Sequence, residues 1–245
     1  MKNSLFLVAS LFATTVFGQV LLGTEPDALR KITGGWVIKP GTQRGEIAYV
    51  NCQRAAKAEW INEIVDYYRK ACVVNMTLTD GSFDIRAPKI TGNLTIFIVD
   101  DPNLPISLVA IESRWALVNV AKLKSEKEPF FRARVKKELS RVSCMLFGGF
   151  KSNYPNNLTS AIVDVKDLDT YVDHTMPVDV LNRFQAHLLP YGITTGSVST
   201  YLMACQEGWA PQPTNEYQKA IWDKVHAIPS KPLKIEYNEK RDKGK

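Results

Sequence analysis

The chain has 245 residues, of which 45% are hydrophobic and 23% are charged, and its formal net charge is +6. This composition is that of an ordinary globular protein, long enough for one large domain or two small ones. The charge is concentrated, because segment 130–141 carries +4 and segment 231–245 carries +3. The composition therefore excludes a general nucleic-acid-binding surface, and we expect no nucleic-acid partner.

The first residues predict an export signal. Lys2 gives a basic start, an apolar run follows over 5–17, and Val16 and Gly18 suit the −3 and −1 positions of signal peptidase. The run is too short to span a bilayer, and no later stretch reaches about 18 apolar residues. We expect residues 1–18 to be a signal peptide and the protein to be secreted or periplasmic, without a membrane span. The alternative is a buried N-terminal helix.

The first half of the chain predicts alternating strands and helices. Residues 23–45 are rich in Gly, Pro and Thr and predict a loop. The segment between Cys52 and Cys72 has apolar residues at helical spacing. Strands are predicted over 46–51, 73–79 and 93–99, and a hairpin at a sheet edge over 107–111 and 115–121.

The second half predicts mostly helices. Helices are predicted over 134–149, 176–189, 196–208 and 215–228, the last with Asn215 as N-cap. We therefore expect an α+β fold, with one mixed twisted sheet and two principal helices, followed by a mostly helical C-terminal part. The chain divides into a signal peptide (1–18), a sheet-and-helix subdomain (19–150), a helical C-terminal subdomain (151–230) and a basic tail (231–245).

The helix over 134–149 has an apolar stripe and a charged face. The stripe consists of Phe131, Val135, Leu139, Val142 and Leu146. On a helical wheel Lys137, Arg141 and Cys144 lie nearly opposite it. Glu138 lies between Arg134 and Arg141, so both arginines are at pairing distance along the helix. One interpretation is a surface helix with a solvated basic face.

A second interpretation comes from the sequence of this helix, KELSRVSCMLF at 137–147. With the order of elements over 46–189, it resembles the metzincin zinc metallopeptidases, most nearly the archaemetzincin-like members, whose helix carries H-E-x-x-H-x-x-G-x-x-H. The resemblance implies a zincin-like fold. It places Lys137, Arg141 and Phe147 at the three histidines, Glu138 at the general base, Cys144 at the glycine, and Met176 at the Met-turn.

These replacements are incompatible with the zinc chemistry of the family. Zinc needs neutral imidazoles or anionic ligands, whereas Lys and Arg offer only donors and add positive charge. We therefore expect no cofactor and no metal, and we expect Arg141 or Arg134 to neutralise Glu138. The expected cleft residues are Lys137, Glu138, Arg141, Cys144, Met176, Trp115 and Arg134.

The sequence leaves three functions open. The first is an exported pseudopeptidase that binds a peptide or an acidic ligand in the former cleft, beside an edge strand near Trp115. The second is an anion- or polysaccharide-binding module that uses the Arg132–Arg141 face and the basic tail. The third is a hydrolase with another site, in which Cys144 or His174 takes part.

The cysteines and the Asn-x-Thr tripeptides leave further alternatives. A continuous helix of about 18 residues separates Cys52 from Cys72 by about 27 Å, so these two cannot pair. Either Cys144 and Cys205 pair with them, in one of two combinations, or all four thiols are free. Asn75, Asn93 and Asn157 each begin an Asn-x-Thr tripeptide, which matters in a eukaryotic secretory pathway.

Overall fold

The computed structural model describes residues 27–149, 158–170, 176 and 178–227. The helices in these ranges are α1 (Asp27–Thr33), α2 (Ala58–Cys72), α3 (Glu128–Leu146), α4 (Asp167–Thr170), α5 (Val178–Leu188), α6 (Tyr201–Gln206) and α7 (Glu216–His226). The strands are β1 (Trp36–Ile38), β2 (Ile47–Cys52), β3 (Met76–Gly81), β4 (Leu94–Val99), β5 (Ser107–Ala110), β6 (Trp115–Asn119) and β7 (Val198–Thr200).

Strands β2 to β6 form one mixed sheet in the order β3-β2-β4-β6-β5. The first four strands in this order are parallel, and β5 runs antiparallel to β6 at the edge. Strands β2, β4 and β6 are buried along their whole length, which explains why β4 has a nearly continuous apolar sequence. The predicted α+β fold with one mixed sheet is confirmed.

Both long helices pack on the same face of this sheet. Successive side chains of a strand point to opposite faces, so Ile96 and Ile98 of β4 meet the helices while Phe97 points to the other face. Helix α2 contributes a buried stripe that includes Trp60 and Ile64. Burying each such side chain stabilises the fold by about 1.5–3 kcal/mol.

The N-terminal part of the described chain packs against its C-terminal helices. Strand β1 pairs with β7, and Gln218 Nε2 donates to the carbonyl of Gly34 at 3.0 Å. The backbone N–H of Tyr201 donates to Gly35 O at 2.8 Å. The predicted loop over 23–45 is thus corrected, because its described part contains α1 and β1.

Two predicted helix boundaries also change. Helix α3 begins at Glu128, six residues before the predicted start, with Pro129 in its first turn. The predicted helix over 196–208 divides into β7 and α6, and Thr200 caps α6 by accepting from Met203 N. The N-cap of α7 is confirmed, because the Gln218 N–H donates to Asn215 Oδ1 at 3.0 Å.

The structure also bears on the cysteines and on membrane insertion. The cysteines Cys52, Cys72, Cys144 and Cys205 are all free and buried, which corresponds to the third of the alternatives left open by the sequence. None of the helices in the described ranges is long and apolar enough to cross a membrane. The expected signal peptide lies outside the described residues.

Candidate functional site

Helix α3, which carries the motif, is fixed by two buried hydrogen bonds. The Tyr68 hydroxyl of α2 donates to Ser140 O at 2.7 Å. Since the Ser143 hydroxyl donates to Leu139 O, the Tyr49 hydroxyl of β2 donates to Ser143 Oγ at 3.0 Å. Burial raises the pKa of both phenols. They therefore remain protonated donors at neutral pH and hold α3 against the sheet and α2.

Glu138 and Arg141 form a bidentate ion pair at the centre of the motif. The guanidinium donates to both carboxylate oxygens, from Nε at 2.9 Å and from Nη2 at 2.7 Å. The Glu138 side chain is 0% exposed and the Arg141 side chain is 12% exposed. Nη2 also donates to Ser107 Oγ at 3.0 Å, and Nη1 contacts Met145 Sδ at 3.2 Å. Because Ser107 begins β5, one guanidinium links α3 to the edge of the sheet.

The N-terminal half of the same face of α3 contacts α4. Arg134 donates to both oxygens of Asp169, at 2.8 and 2.6 Å, and Lys137 Nζ donates to the carbonyl of Leu168 at 2.6 Å. The Arg134 guanidinium lowers the pKa of Asp169. Burial lowers the pKa of Lys137, and nearby Asp169 opposes this shift. Of the two arginines expected to neutralise Glu138, Arg141 therefore does so, whereas Arg134 pairs with Asp169.

The two remaining motif residues on α3 or at its end are buried in the core. The Phe147 ring makes edge contacts with Tyr68 and Phe184, at centroid distances of 5.5 and 5.6 Å. Cys144 is 0% exposed, and its thiol contacts Gly149 O at 3.7 Å. The expectation that Cys144 lies on the polar face is corrected, because the chain that follows α3 covers this side of the helix.

Trp115 and Met176 have contacts with elements other than the ion pair. Trp115 packs with Phe83 and Phe97 on the sheet face opposite α3. It belongs to β6, and the edge strand beside α3 is β5. Met176 is 7% exposed and donates its N–H to the Tyr67 hydroxyl at 2.8 Å. His174, the other residue considered for chemistry, lies outside the described residues.

The basic face of α3 contains carboxylates from other elements. Glu63 of α2 accepts from Lys136 Nζ at 2.5 Å and also pairs with Arg132. The nearby Lys136 ammonium, and then Arg132, lower the pKa of Glu63. The interpretation as a solvated basic face is thus correct only in part. The Arg132 side chain is 47% exposed, but every cation of segment 130–141 has an acceptor: Glu63, Asp169, Leu168 O or Glu138.

These residues do not fit zinc. Lys137 and Arg141 supply donors where a metal ion needs lone pairs, Phe147 has no ligand atom, and both oxygens of Glu138 already accept from Arg141. Within the part of the chain that is described, no group of three or more His, Cys, Asp or Glu is placed to hold a metal ion.

Several site residues had no signal in the sequence. Ser107, Glu63 and Asp169 each bind a basic residue of α3 from an element distant in the chain. Nothing in their neighbouring residues indicates this, because the contacts arise only when the sheet, α2 and α4 assemble around α3. A helical wheel reports the faces of one helix and cannot report its partners.

Comparisons with known proteins find a likeness only among solved structures. No family model matches the sequence, and no curated protein matches it. The structure is similar to archaemetzincin from Methanopyrus kandleri, with a TM-score of 0.48 and 14% identity, over 62% of this chain and 99% of that chain. It is also similar to archaemetzincin from Archaeoglobus fulgidus, solved in complex with malonate, with a TM-score of 0.42 and 12% identity, over 56% and 99% of the two chains.

The structural neighbours are therefore archaemetzincins, the group that the sequence resembles. Both TM-scores lie below 0.5 and both identities below 25%, so the likeness assigns neither an activity nor a metal to this chain.

Proposed function

We propose that this protein is an exported, non-catalytic protein of metzincin-like fold, which binds an extended peptide along β5 beside α3. The observation that carries the proposal is the buried ion pair between Glu138 and Arg141. By the resemblance of the motif, Arg141 stands at a metal-binding histidine and Glu138 at the general base, so the pair would replace the metal and the base of such a peptidase.

The ion pair disfavours hydrolysis by this motif. A general base must come within hydrogen-bonding distance of the proton that it removes. Glu138 is 0% exposed and both its oxygens accept from Arg141, so neither is available to a water or to a substrate. The alternative hydrolase with Cys144 as nucleophile is also disfavoured, because that thiol is buried in the core.

Strand β5 supports peptide binding through its outer edge. Asn119 N of β6 donates to the carbonyl of Ile106, the residue before β5, so Ile106 and Asn119 are a hydrogen-bonded pair. Alternation along the strand then directs the backbone groups of Ser107 and Val109 away from β6. No other strand in the described ranges pairs with this edge. An extended peptide therefore has backbone donors and acceptors to bind there.

Arg141 favours an acidic side chain in such a peptide. Residues directly opposite each other in a sheet share a face, and Val109 packs on the helix side of this sheet. Ligand side chains opposite Ser107 and Val109 would thus point toward α3, where the Arg141 side chain is 12% exposed. We expect a peptide with Asp or Glu at one of these positions to bind best.

The anion-binding alternative has less support from α3. A polyanion would have to compete with the carboxylates that already pair with Arg132, Arg134 and Lys136. The basic tail lies outside the described residues. Binding to heparin-like polysaccharide that weakens steeply with salt would favour this alternative over the peptide.

The proposal is tested by replacing Val109 with proline. Proline removes the outward N–H without removing a hydrogen bond to β6, whereas Val109→Thr keeps the N–H at similar volume. Binding of fluorescent heptapeptides, scanned with Asp at each position, is measured by anisotropy, with circular dichroism to confirm folding. We expect Val109→Pro to weaken binding at least about 10-fold and Val109→Thr to have little effect.

Three results would contradict the proposal. They are the absence of binding across the whole peptide set, equal binding by the proline and threonine variants, and peptide hydrolysis accompanied by one bound zinc ion per chain. Export is tested separately, by N-terminal sequencing of protein secreted with its native N-terminus. We expect the mature chain to begin at Gln19.

A further inference from the structure

The structure distinguishes two Asn-x-Thr tripeptides that the sequence presents as equivalent. A third, at Asn157, lies outside the described residues. Asn75 precedes β3, and Asn93 precedes β4. In a protein exported through a eukaryotic secretory pathway, each tripeptide is an acceptor for an N-linked glycan, provided that the folded chain has room for the sugar.

Asn93 has no such room, because its side chain joins three segments of the chain. Its Oδ1 accepts from the N–H of Glu46 at 2.9 Å, and its Nδ2 donates to Tyr191 O at 2.9 Å. Thr95, the third residue of the tripeptide, is 0% exposed, and its hydroxyl donates to Thr91 O at 2.5 Å. A sugar on Asn93 Nδ2 would displace Tyr191 and break these contacts.

Asn75 lies in the opposite kind of environment. It is exposed, and its Nδ2 donates to Gly45 O at 3.2 Å at the surface. Thr77 is exposed as well, and its hydroxyl donates to Glu46 Oε1 at 2.6 Å. Strand β3 forms one edge of the sheet, so a glycan at its start displaces no neighbouring strand.

We infer that Asn75 is an N-glycosylation site of this protein and that Asn93 is not. The inference rests on the export that we propose above, through a eukaryotic secretory pathway. In the reaction, Asn75 Nδ2 forms a bond to C1 of the first N-acetylglucosamine of a polyprenyl-diphosphate-linked oligosaccharide. The bond from C1 to the diphosphate oxygen breaks, the amide loses one proton, and polyprenyl diphosphate leaves. The product keeps one N–H on Asn75.

The test is expression of the full chain, with its native N-terminus, in a eukaryotic secretory cell. The secreted protein is treated with peptide-N-glycosidase, which converts a glycosylated Asn to Asp, and its peptides are mapped by mass spectrometry. We expect conversion at Asn75 and none at Asn93. The variants Asn75→Asp and Thr77→Ala should each remove the same glycan without a measurable shift in the urea midpoint of unfolding, since both side chains are exposed.

Asn93→Asp is the matched control, since it has the same shape and also removes a tripeptide. It should leave the glycan mass unchanged and should destabilise the protein, because the donor to Tyr191 O is lost. An unmodified Asn75 in the secreted protein, or a glycan on Asn93, overturns the inference. If the native N-terminus fails to direct secretion, the export proposal fails, and the same chain behind a heterologous leader still decides between the two asparagines.

Discussion

The ion pair of Glu138 and Arg141 is asymmetric in its exposure, and this asymmetry determines what each residue contributes. The carboxylate is fully buried, whereas 12% of the arginine side chain reaches solvent. A charge that is buried without a partner is far more costly than a buried pair. Removing the arginine is therefore expected to be more damaging than removing the glutamate.

The first prediction concerns this pair. Arg141→Met leaves a buried carboxylate without its guanidinium and should lower the free energy of unfolding by about 3–5 kcal/mol. The double variant Glu138→Leu/Arg141→Met removes both charges and should be close to wild type in stability. Urea unfolding of the two variants measures the difference. A loss below about 1 kcal/mol in the single variant would contradict this prediction.

The sequence predicts the contact between Glu138 and Arg141, but it does not predict which tertiary partners the neighbouring cations bind. The spacing of three residues between Glu138 and Arg141 predicts contact on any helix, and the contact is present. The same rule applies equally to Arg134 at a spacing of four, but that residue binds Asp169 instead. Local spacing therefore lists the available partners, and the tertiary structure selects among them.

Helix α4 packs on α3 through its buried residue Leu168 and through polar contacts, and the polar contacts make this packing sensitive to pH. Arg134 of α3 and Asp169 of α4 form a bidentate ion pair, with side-chain exposures of 13% and 30%. The pKa of Asp169 is lowered in the folded protein from a reference value of 3.8. The pair therefore stabilises the fold fully above pH 3.8, and this stabilisation is lost as the pH falls through the folded pKa.

The second prediction follows from this linkage. At pH 7, Asp169→Asn should lower the free energy of unfolding by about 1 kcal/mol. The difference from wild type should shrink as the pH falls below about 4, because the wild-type carboxylate is then protonated as well. Unfolding curves at several pH values measure it. In a double-mutant cycle with Arg134→Gln, the absence of coupling would contradict the assignment of the effect to this pair.

At the scale of elements, the sequence predicts the existence of most helices and strands but not their environment. The apolar stripe of α3 is correct at Val135, Leu139 and Val142, which are all buried. Cys144, on the opposite side of the wheel, is buried too, because other parts of the chain also cover α3. The periodicity of one helix shows which face meets the sheet, and it contains no information on a second layer of packing.

At the scale of the whole molecule, the N-terminal segment of the described chain packs against its C-terminal helices. Gly34 follows α1, and its carbonyl accepts from Gln218 of α7. The sequence could not predict this, because α1 and β1 are short and their partners are about 160 residues or more away in the chain. Short elements of this kind have little intrinsic stability and depend on tertiary contacts for their structure.

The third prediction tests the packing of the N-terminal segment against α6 and α7, with two glycines that have the same φ. Gly34 and Gly41 both have φ of +74°, so an added Cβ is strained at either position. At Gly34 the Cβ would also lie 2.9 Å from Ile221 Cδ1 and from Tyr201 Cβ, whereas at Gly41 it meets nothing within 4 Å. The two substitutions by alanine thus share the backbone strain and differ in packing.

Gly34→Ala should therefore lower the free energy of unfolding by about 1–3 kcal/mol more than Gly41→Ala, through overpacking against α6 and α7. Urea unfolding measures the free energies, and hydrogen exchange of α7 amides reports where the loss occurs. If the N- and C-terminal segments support each other, the extra loss appears as faster exchange in α7, while exchange in β4 is less affected. Equal losses of free energy in the two variants would contradict this prediction, because they would mean that Ile221 and Tyr201 accommodate the added Cβ without loss of stability.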